Sequence, residues 1–352
     1  MNILNKINNF YINNKPFVVY RKPNKINISG FFMDSDELFF TDDFTENGFI
    51  FAPFDTSKKA ILYPLNISKY IEEQIHLDDS EKLNSIGLNG NKVSKENHIN
   101  IVEKTIEAIH NSELKKVVIS RKEVLTFNSF QLLEVYKKLL KKYENAFVYV
   151  WYHPKVGLWL GATPETLLKT EETHFKTMSL AGTRKYNKQS KDTWKSKEIE
   201  EQQLVTDFIE EQLNPISKDL KIDKTETIRA GSLLHLRTKI EGELTNEASL
   251  NKIIRALHPT PAICGLPRDS AKQFIINNEN YDRSFYTGFL GEINLNIERR
   301  KKSSLFVNLR CMEVIDNNTI NLYIGGGITK DSNAEKEWEE TVSKSETMKN
   351  VL

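Results

Sequence analysis

FLGEINLNIERRKKSSLFVNLRCMEVIDNNTINLYI, residues 289–324, is the stretch whose reading decides the fold. Within it, 289–295, 305–314 and 319–324 are rich in aromatic, β-branched and other apolar side chains, and runs of charge or Asn and Asp separate them. They predict strands joined as hairpins, followed by a final helix over 334–352. Working back along the chain, strands are expected at 117–120, 147–152 and 157–161, and helices at 98–111, 130–143, 196–213, 248–257 and 270–277. Asn214-Pro215 stops the helix that begins at Ser196. Residues 1–75 read as short strands (17–20, 37–40, 49–51, 60–63) divided by Asn, Pro, Gly and Asp, and polar residues 77–97 read as a loop. Hairpin-like strands mixed with helices predict an α+β fold, not a doubly wound parallel one.

The 352 residues suffice for a substantial core. Lys+Arg (49) and Asp+Glu (48) nearly cancel, leaving a net charge of +1. That balance gives no field for nucleic acid or an anionic membrane, so any anionic ligand must be held by a few local cations. Cys264 and Cys311 stand alone, without zinc-ligand spacing or a disulfide framework, which fits a reducing cytoplasm. The first residues break their apolar positions with Asn and Lys, so no signal-peptide core is expected, and no run reaches the length of a membrane span.

Two predicted helices share an unusual feature. Glu198, Glu201, Val205 and Phe208 fall on one stripe, and Glu337, Glu340, Lys344, Met348 and Val351 form an equivalent one. Inward carboxylates are costly unless neutralised. Two such E-x-x-E pairs could converge on a hard divalent cation such as Mg²⁺. Pattern alone favours solvated faces, with Glu340 and Lys344 an ordinary i,i+4 pair.

A set of motifs decides between these readings. KKVVISRK (115–122), GATPETLL (161–168), SLAGTRK (179–185), E-x-x-EQQLVTDFI (198–209) and LLHLRTKIEG (233–242) occur in that order. LHPTPAICGLP (257–267), YDRSFYTGFLGEI (281–293), LFVNLRCMEV (305–314), YIGGGIT (323–329) and E-x-x-ETVSK (337–344) follow. Together they resemble the chorismate-utilising enzyme family, which includes isochorismate, salicylate, anthranilate and aminodeoxychorismate synthases. The resemblance implies one α+β domain over 1–352, with large antiparallel sheets packed together and helices outside. Residues 1–95 form its strand-rich N-terminal part and 98–352 its motif-bearing catalytic part.

The resemblance further implies a Mg²⁺–chorismate pocket. Glu201 and Glu340 resemble the direct Mg²⁺ ligands, with Glu198 and Glu337 supporting them. Arg310 resembles the arginine that pairs with a substrate carboxylate. Lys344, Gly182, Thr183, His235, Ala262, Tyr323 and the backbone of Gly325, Gly326 and Gly327 would complete the substrate site; the glycines could equally be a strand-to-helix turn. Lys116 resembles the general base for water, where anthranilate synthases carry Gln, and Glu165 resembles the acid that protonates the departing C4 hydroxyl. Ala181 stands where covalent enzymes place a nucleophilic lysine, and Ala262 where amine-adding enzymes place threonine. The implied reaction is Mg²⁺-dependent conversion of chorismate to isochorismate, serving menaquinone or siderophore biosynthesis. Salicylate synthase and an inactive chorismate-binding homologue are the alternatives. Cysteine usage and the absence of a signal or span predict a cytoplasmic protein, and the resemblance implies a monomer without a glutamine amidotransferase subunit.

Overall fold

The computed structural model describes residues 2–75, 92–126, 128–186, 194–230 and 233–352. Its helices are α1 (Ile3–Ile12), α2 (Lys92–Asn111), α3 (Leu132–Lys142), α4 (Ser196–Leu213), α5 (Leu250–Leu257), α6 (Arg268–Asn278) and α7 (Ala334–Lys349). The first strands are β1 (Phe17–Arg21), β2 (Asn27–Phe32), β3 (Phe39–Thr41), β4 (Gly48–Ala52), β5 (Ala60–Pro64) and β6 (Lys69–Gln74). Then come β7 (Lys116–Thr126), β8 (Phe147–His153), β9 (Gly157–Thr163), β10 (Thr166–Glu171), β11 (His174–Lys185), β12 (Ser217–Ile222), β13 (Glu226–Ala230) and β14 (Leu233–Leu244). The last are β15 (Gly265–Leu266), β16 (Phe289–Ile297), β17 (Arg300–Val307), β18 (Cys311–Val314) and β19 (Thr319–Thr329).

One sheet runs in the order β15-β7-β19-β18-β9-β8-β1-β2-β6. The other runs β12-β14-β11-β10-β17-β16-β4-β5-β3, with β13 also paired to β14. The ladders are antiparallel, as the α+β reading requires. Strand alternation builds the layers. In β8, Phe147, Tyr149 and Trp151 enter an aromatic core between the sheets, together with Phe49, Phe51, Trp159, Phe285 and Phe306. Val148 and Val150 face the other way, towards α1 and α3. On the far sheet α4 and α5 cover Ile50, Leu168 and Ile240, while α2 and α6 cover Val117 and Ile119 of β7.

The structure corrects several boundaries. Residues 3–12 form a helix, which the strand reading of the N-terminal region passed over. Asn2 caps it through a 2.9 Å bond from the Asn5 amide, and Ile3, Ile7 and Phe10 are its buried stripe. The expected loop at 77–97 lies outside the described residues as far as 91, and 92–97 are the first turns of α2. The segment 305–314 is not one strand. β17 belongs to one sheet and β18 to the other, and the chain switches through Arg310 at φ +48°. Asn308 anchors the switch, accepting from the Tyr149 hydroxyl at 2.6 Å and donating to the Phe285 carbonyl at 2.9 Å. Finally, Gly325–Gly327 make neither a turn nor a helix entrance. They lie inside β19, opposite Ser120, Ile119 and Val118. Among the described residues, no helix is long and apolar enough to cross a membrane.

Candidate active site

Unequal strand lengths open the site. The short β18 stops pairing with β19 at Cys311–Tyr323 and with β9 at Cys311–Gly161. Both neighbours run on, β19 to Thr329 and β9 to Thr163. Arg310 stands where the gap begins, its carbonyl accepting the Ala162 amide at 3.0 Å. Glu165 follows β9 on the tight Thr163–Thr166 connection. From the other sheet, β11 contributes a bulge at Ala181–Thr183, with Gly182 at φ +66°. An added Cβ at Gly182 would lie 3.2 Å from Glu198 of α4, so glycine lets that helix approach the bulge closely.

The glycine run of β19 is the floor. Val118 sends its amide to the Cys264 carbonyl and Ser120 sends its own to Glu279, both away from β19. In an antiparallel ladder the residues opposite then also turn outwards. Gly327 and Gly325 therefore present their N–H and C=O groups on the open edge of β19, and Lys344 Nζ donates to the Gly325 carbonyl at 2.9 Å. A Cβ at Gly327 would lie 2.6 Å from Glu201 Oε1 and 2.8 Å from Lys116 Cε. At Gly326 the nearest groups are Glu337 Oε2 at 3.6 Å and Glu340 Oε1 at 3.9 Å. Carboxylates of α4 and α7 thus reach neighbouring glycines, whose missing side chains leave them room.

Each of these carboxylates has a lysine partner. Lys116, fully buried, sits 2.9 Å from Glu201, which is 15% exposed. Lys197 reaches Glu337 at 2.6 Å across α4 and α7, and Lys344 reaches Glu340 at 2.6 Å. Burial alone would raise the Glu201 carboxyl, but Lys116, Lys344 and Lys197 outweigh it and hold the group below its ordinary value. Burial, with Glu340 adding to it, raises the carboxyl of Glu337. The donors are hard carboxylate oxygens of the kind Mg²⁺ takes. As placed, no three acidic, His or Cys side chains among the described residues surround one point.

Glu165 provides the contrast. It is 4% exposed, and burial raises its carboxyl to about 8 against the opposing pull of Lys116, Arg310 and Lys344. It is therefore predominantly protonated at neutral pH, as a proton donor must be. His235 Nδ1 lies 3.2 Å from the Gly182 carbonyl and 3.3 Å from Thr183 Oγ1, while Nε2 is buried without a partner. Burial lowers its pKa to about 3, so the imidazole is neutral and offers one unpaired nitrogen.

Three expected residues sit differently from the others. Glu198 turns its carboxylate back to its own helix start, accepting the Lys195 amide at 3.0 Å in a capping box. The Tyr323 ring stacks on Trp159 and Tyr286, and its hydroxyl is committed to Glu313 at 2.6 Å. Ala262 is a half-buried packing residue against the core under α4 and α5. Conversely, Tyr286 was not singled out in the sequence. A Cβ at Gly325 would meet its hydroxyl at 2.8 Å, and its phenol interacts electrostatically with Arg310. The motif YDRSFYTG contains it, but nothing in the spacing separates that tyrosine from Tyr281.

Comparison with known proteins identifies the family and the fold. The sequence profile described as "Chorismate binding enzyme" matches residues 55–352. The vibriobactin-specific isochorismate synthase of Vibrio cholerae serotype O1 is 29% identical over 258 residues, covering 70% of this chain and 64% of that protein. Isochorismate synthase DhbC of Bacillus subtilis is 30% identical over 271 residues, covering 72% and 67%. The matched stretch thus spans about two thirds of each relative's length. A solved structure titled as a putative 2,3-dihydroxybenzoate-specific isochorismate synthase, DhbC from Bacillus anthracis, shares the fold with a TM-score of 0.81, 23% identity and 99% coverage of both chains.

Proposed function

Because the chain belongs to the chorismate-binding enzyme family, we propose that it is an isochorismate synthase, adding a water-derived hydroxyl at C2 of chorismate as the C4 hydroxyl departs. The names of its relatives support the reading, and one observation carries it. The buried amine of Lys116 lies near enough to the buried, raised carboxyl of Glu165 to act on it electrostatically, an arrangement suited to removing one proton and delivering another.

In this mechanism Arg310 pairs with one substrate carboxylate, and Lys344 with the outward amides of Gly325 and Gly327 orients the ring. In its neutral form, after releasing its ammonium proton, Lys116 takes a proton from water as the new C2–O bond forms and the ring double bonds shift. Glu165 gives its proton to the C4 hydroxyl as that C–O bond breaks. One proton leaves and one is supplied, so the product is an isomer of the substrate. His235, neutral, offers its Nε2 to a polar group of the ring without adding charge. Tyr286 adds a hydroxyl beside Gly325.

Mg²⁺ belongs to the same proposal. Glu201 and Glu340 would hold it, with Glu337 behind them, and when bound it supplies positive charge against the substrate's ring carboxylate. Lysines already balance the carboxylates, so a divalent cation and a doubly ionised substrate enter with mutually cancelling charge. Glu198 would contribute only after releasing its cap.

Incubating the purified protein with chorismate and Mg²⁺, and separating the products chromatographically, tests the proposal. Isochorismate is expected, and excess EDTA should abolish its formation. Salicylate with pyruvate would replace the assignment by salicylate synthase. Undiminished turnover in EDTA would remove the metal from it.

A further inference from the structure

On the outer flank of β7, away from the glycine run, lies a cavity of about 650 Å³. Its walls are one face of α2 (Asn97, His98, Lys104), the middle of β7 (Arg121, Lys122) and the segment after α6, including Glu279. Nothing in the proposed reaction uses it. We propose that it is a second binding site, for a small oxyanion carrying a carboxylate or phosphate group.

Charge is the first argument. Glu279 has no negative charge to spare. It is held by Arg283 at 2.6 Å and accepts both the amide and the hydroxyl of Ser120. Arg121 is matched by Glu123 at 2.8 Å and bonded to Thr341. That leaves Lys104 and Lys122, both exposed, to give the cavity its net positive character.

The second argument is an unmatched buried group. His98 is 3% exposed, packs against the Trp338 ring, and has no hydrogen-bond partner on either nitrogen. Leaving a buried polar group unpaired is costly, so such a side chain on a cavity wall calls for a ligand. Burial and the neighbouring Arg121 lower its pKa to about 4, so at neutral pH it offers one N–H and one lone pair.

The backbone supplies the third. The outer edge of β7 is covered by β15 at Lys116 and Val117, by the Cys264 carbonyl and Arg283 at Val118, and by Glu279 at Ser120. Strand alternation puts the Lys122 peptide next on that edge, beside the cavity, where its N–H can donate to an anion.

The test titrates the full chain calorimetrically with inorganic phosphate and, separately, with malonate, in wild type, Lys104→Gln/Lys122→Gln, His98→Ala and Arg310→Ala. Saturable binding of at least one probe is expected, weakened about tenfold or more in the double lysine variant and retained in Arg310→Ala. Tighter phosphate binding assigns a phosphorylated ligand; tighter malonate binding assigns a carboxylate. Absence of saturable binding, equal affinity in the lysine variant, or loss of binding in Arg310→Ala overturns the proposal. The lysines are surface residues, so their variant remains informative should His98→Ala fail to fold. Failure here leaves the chorismate reading untouched, because the two sites share no residue.

Discussion

At the scale of single residues, the glycines of β19 show how the absence of a side chain can be functional. A Cβ at Gly326 would make only ordinary van der Waals contact with Glu337 and Glu340, whereas at Gly327 it would have Glu201 and Lys116 within 3 Å. Gly327→Ala should therefore lower kcat at least about tenfold by displacing the Lys116–Glu201 pair, while Gly326→Ala keeps most of the activity, with unchanged circular dichroism in both. Glu165 gives a second prediction. Its carboxyl is raised by burial to about 8 from an ordinary 4.5, so its contribution to stability is fully present below the ordinary value and lost as pH rises through about 8. Glu165→Gln cannot ionise. Its melting temperature should gain on wild type between about pH 5 and about pH 9, while wild-type turnover falls above about pH 8 as the acid ionises. Lys116, Glu165 and Arg310 were legible because each sits in a motif. Tyr286 was not, since an aromatic residue on an apolar stretch looks the same whether it packs or faces the pocket.

At the scale of elements, the Glu279–Arg283 pair braces β7, the strand that begins with Lys116. Arg283 donates to the carbonyls of Val118 (2.7 Å) and Ile263 (3.1 Å), and Glu279 accepts from Ser120. Removing one partner strands the other charge in a dry interior, so Arg283→Met should cost about 3–5 kcal/mol in urea unfolding. Glu279→Met/Arg283→Met should recover a large part of that loss. Helix α4 was read to the residue because Val205, Phe208 and Leu213 mark its buried face and Asn214-Pro215 its end. Helix α1 was missed because Asn and Lys dilute a three-residue stripe. The break at Arg310 was hidden for a different reason. Both halves of 305–314 are buried strands, and a left-handed backbone at an arginine leaves no trace in hydropathy.

At the scale of the whole molecule, the N-terminal part is built into both sheets. β1, β2 and β6 extend one and β3, β4 and β5 the other, and Tyr20, Phe31, Phe49 and Phe51 belong to the aromatic layer between them. A chain beginning at residue 98 would expose that layer. It should bind a hydrophobic dye, lose its near-ultraviolet dichroism and be cut rapidly by trypsin, although it keeps every motif. The motifs are legible along the chain, but the geometry that makes them dependent on residues 1–75 is not, because sheet partners far apart in the chain leave no local periodicity.

The switch at Arg310 also constrains how the protein comes to be folded. β16 and β17 complete one sheet immediately before β18 and β19 are inserted into the middle of the other. β19 then pairs with β7, about two hundred residues earlier, along their whole length. The gap beside β19 therefore exists only after the last strand has found β7. Until then the proposed pocket is incomplete, so catalytic competence should arrive only with closure of the sheet.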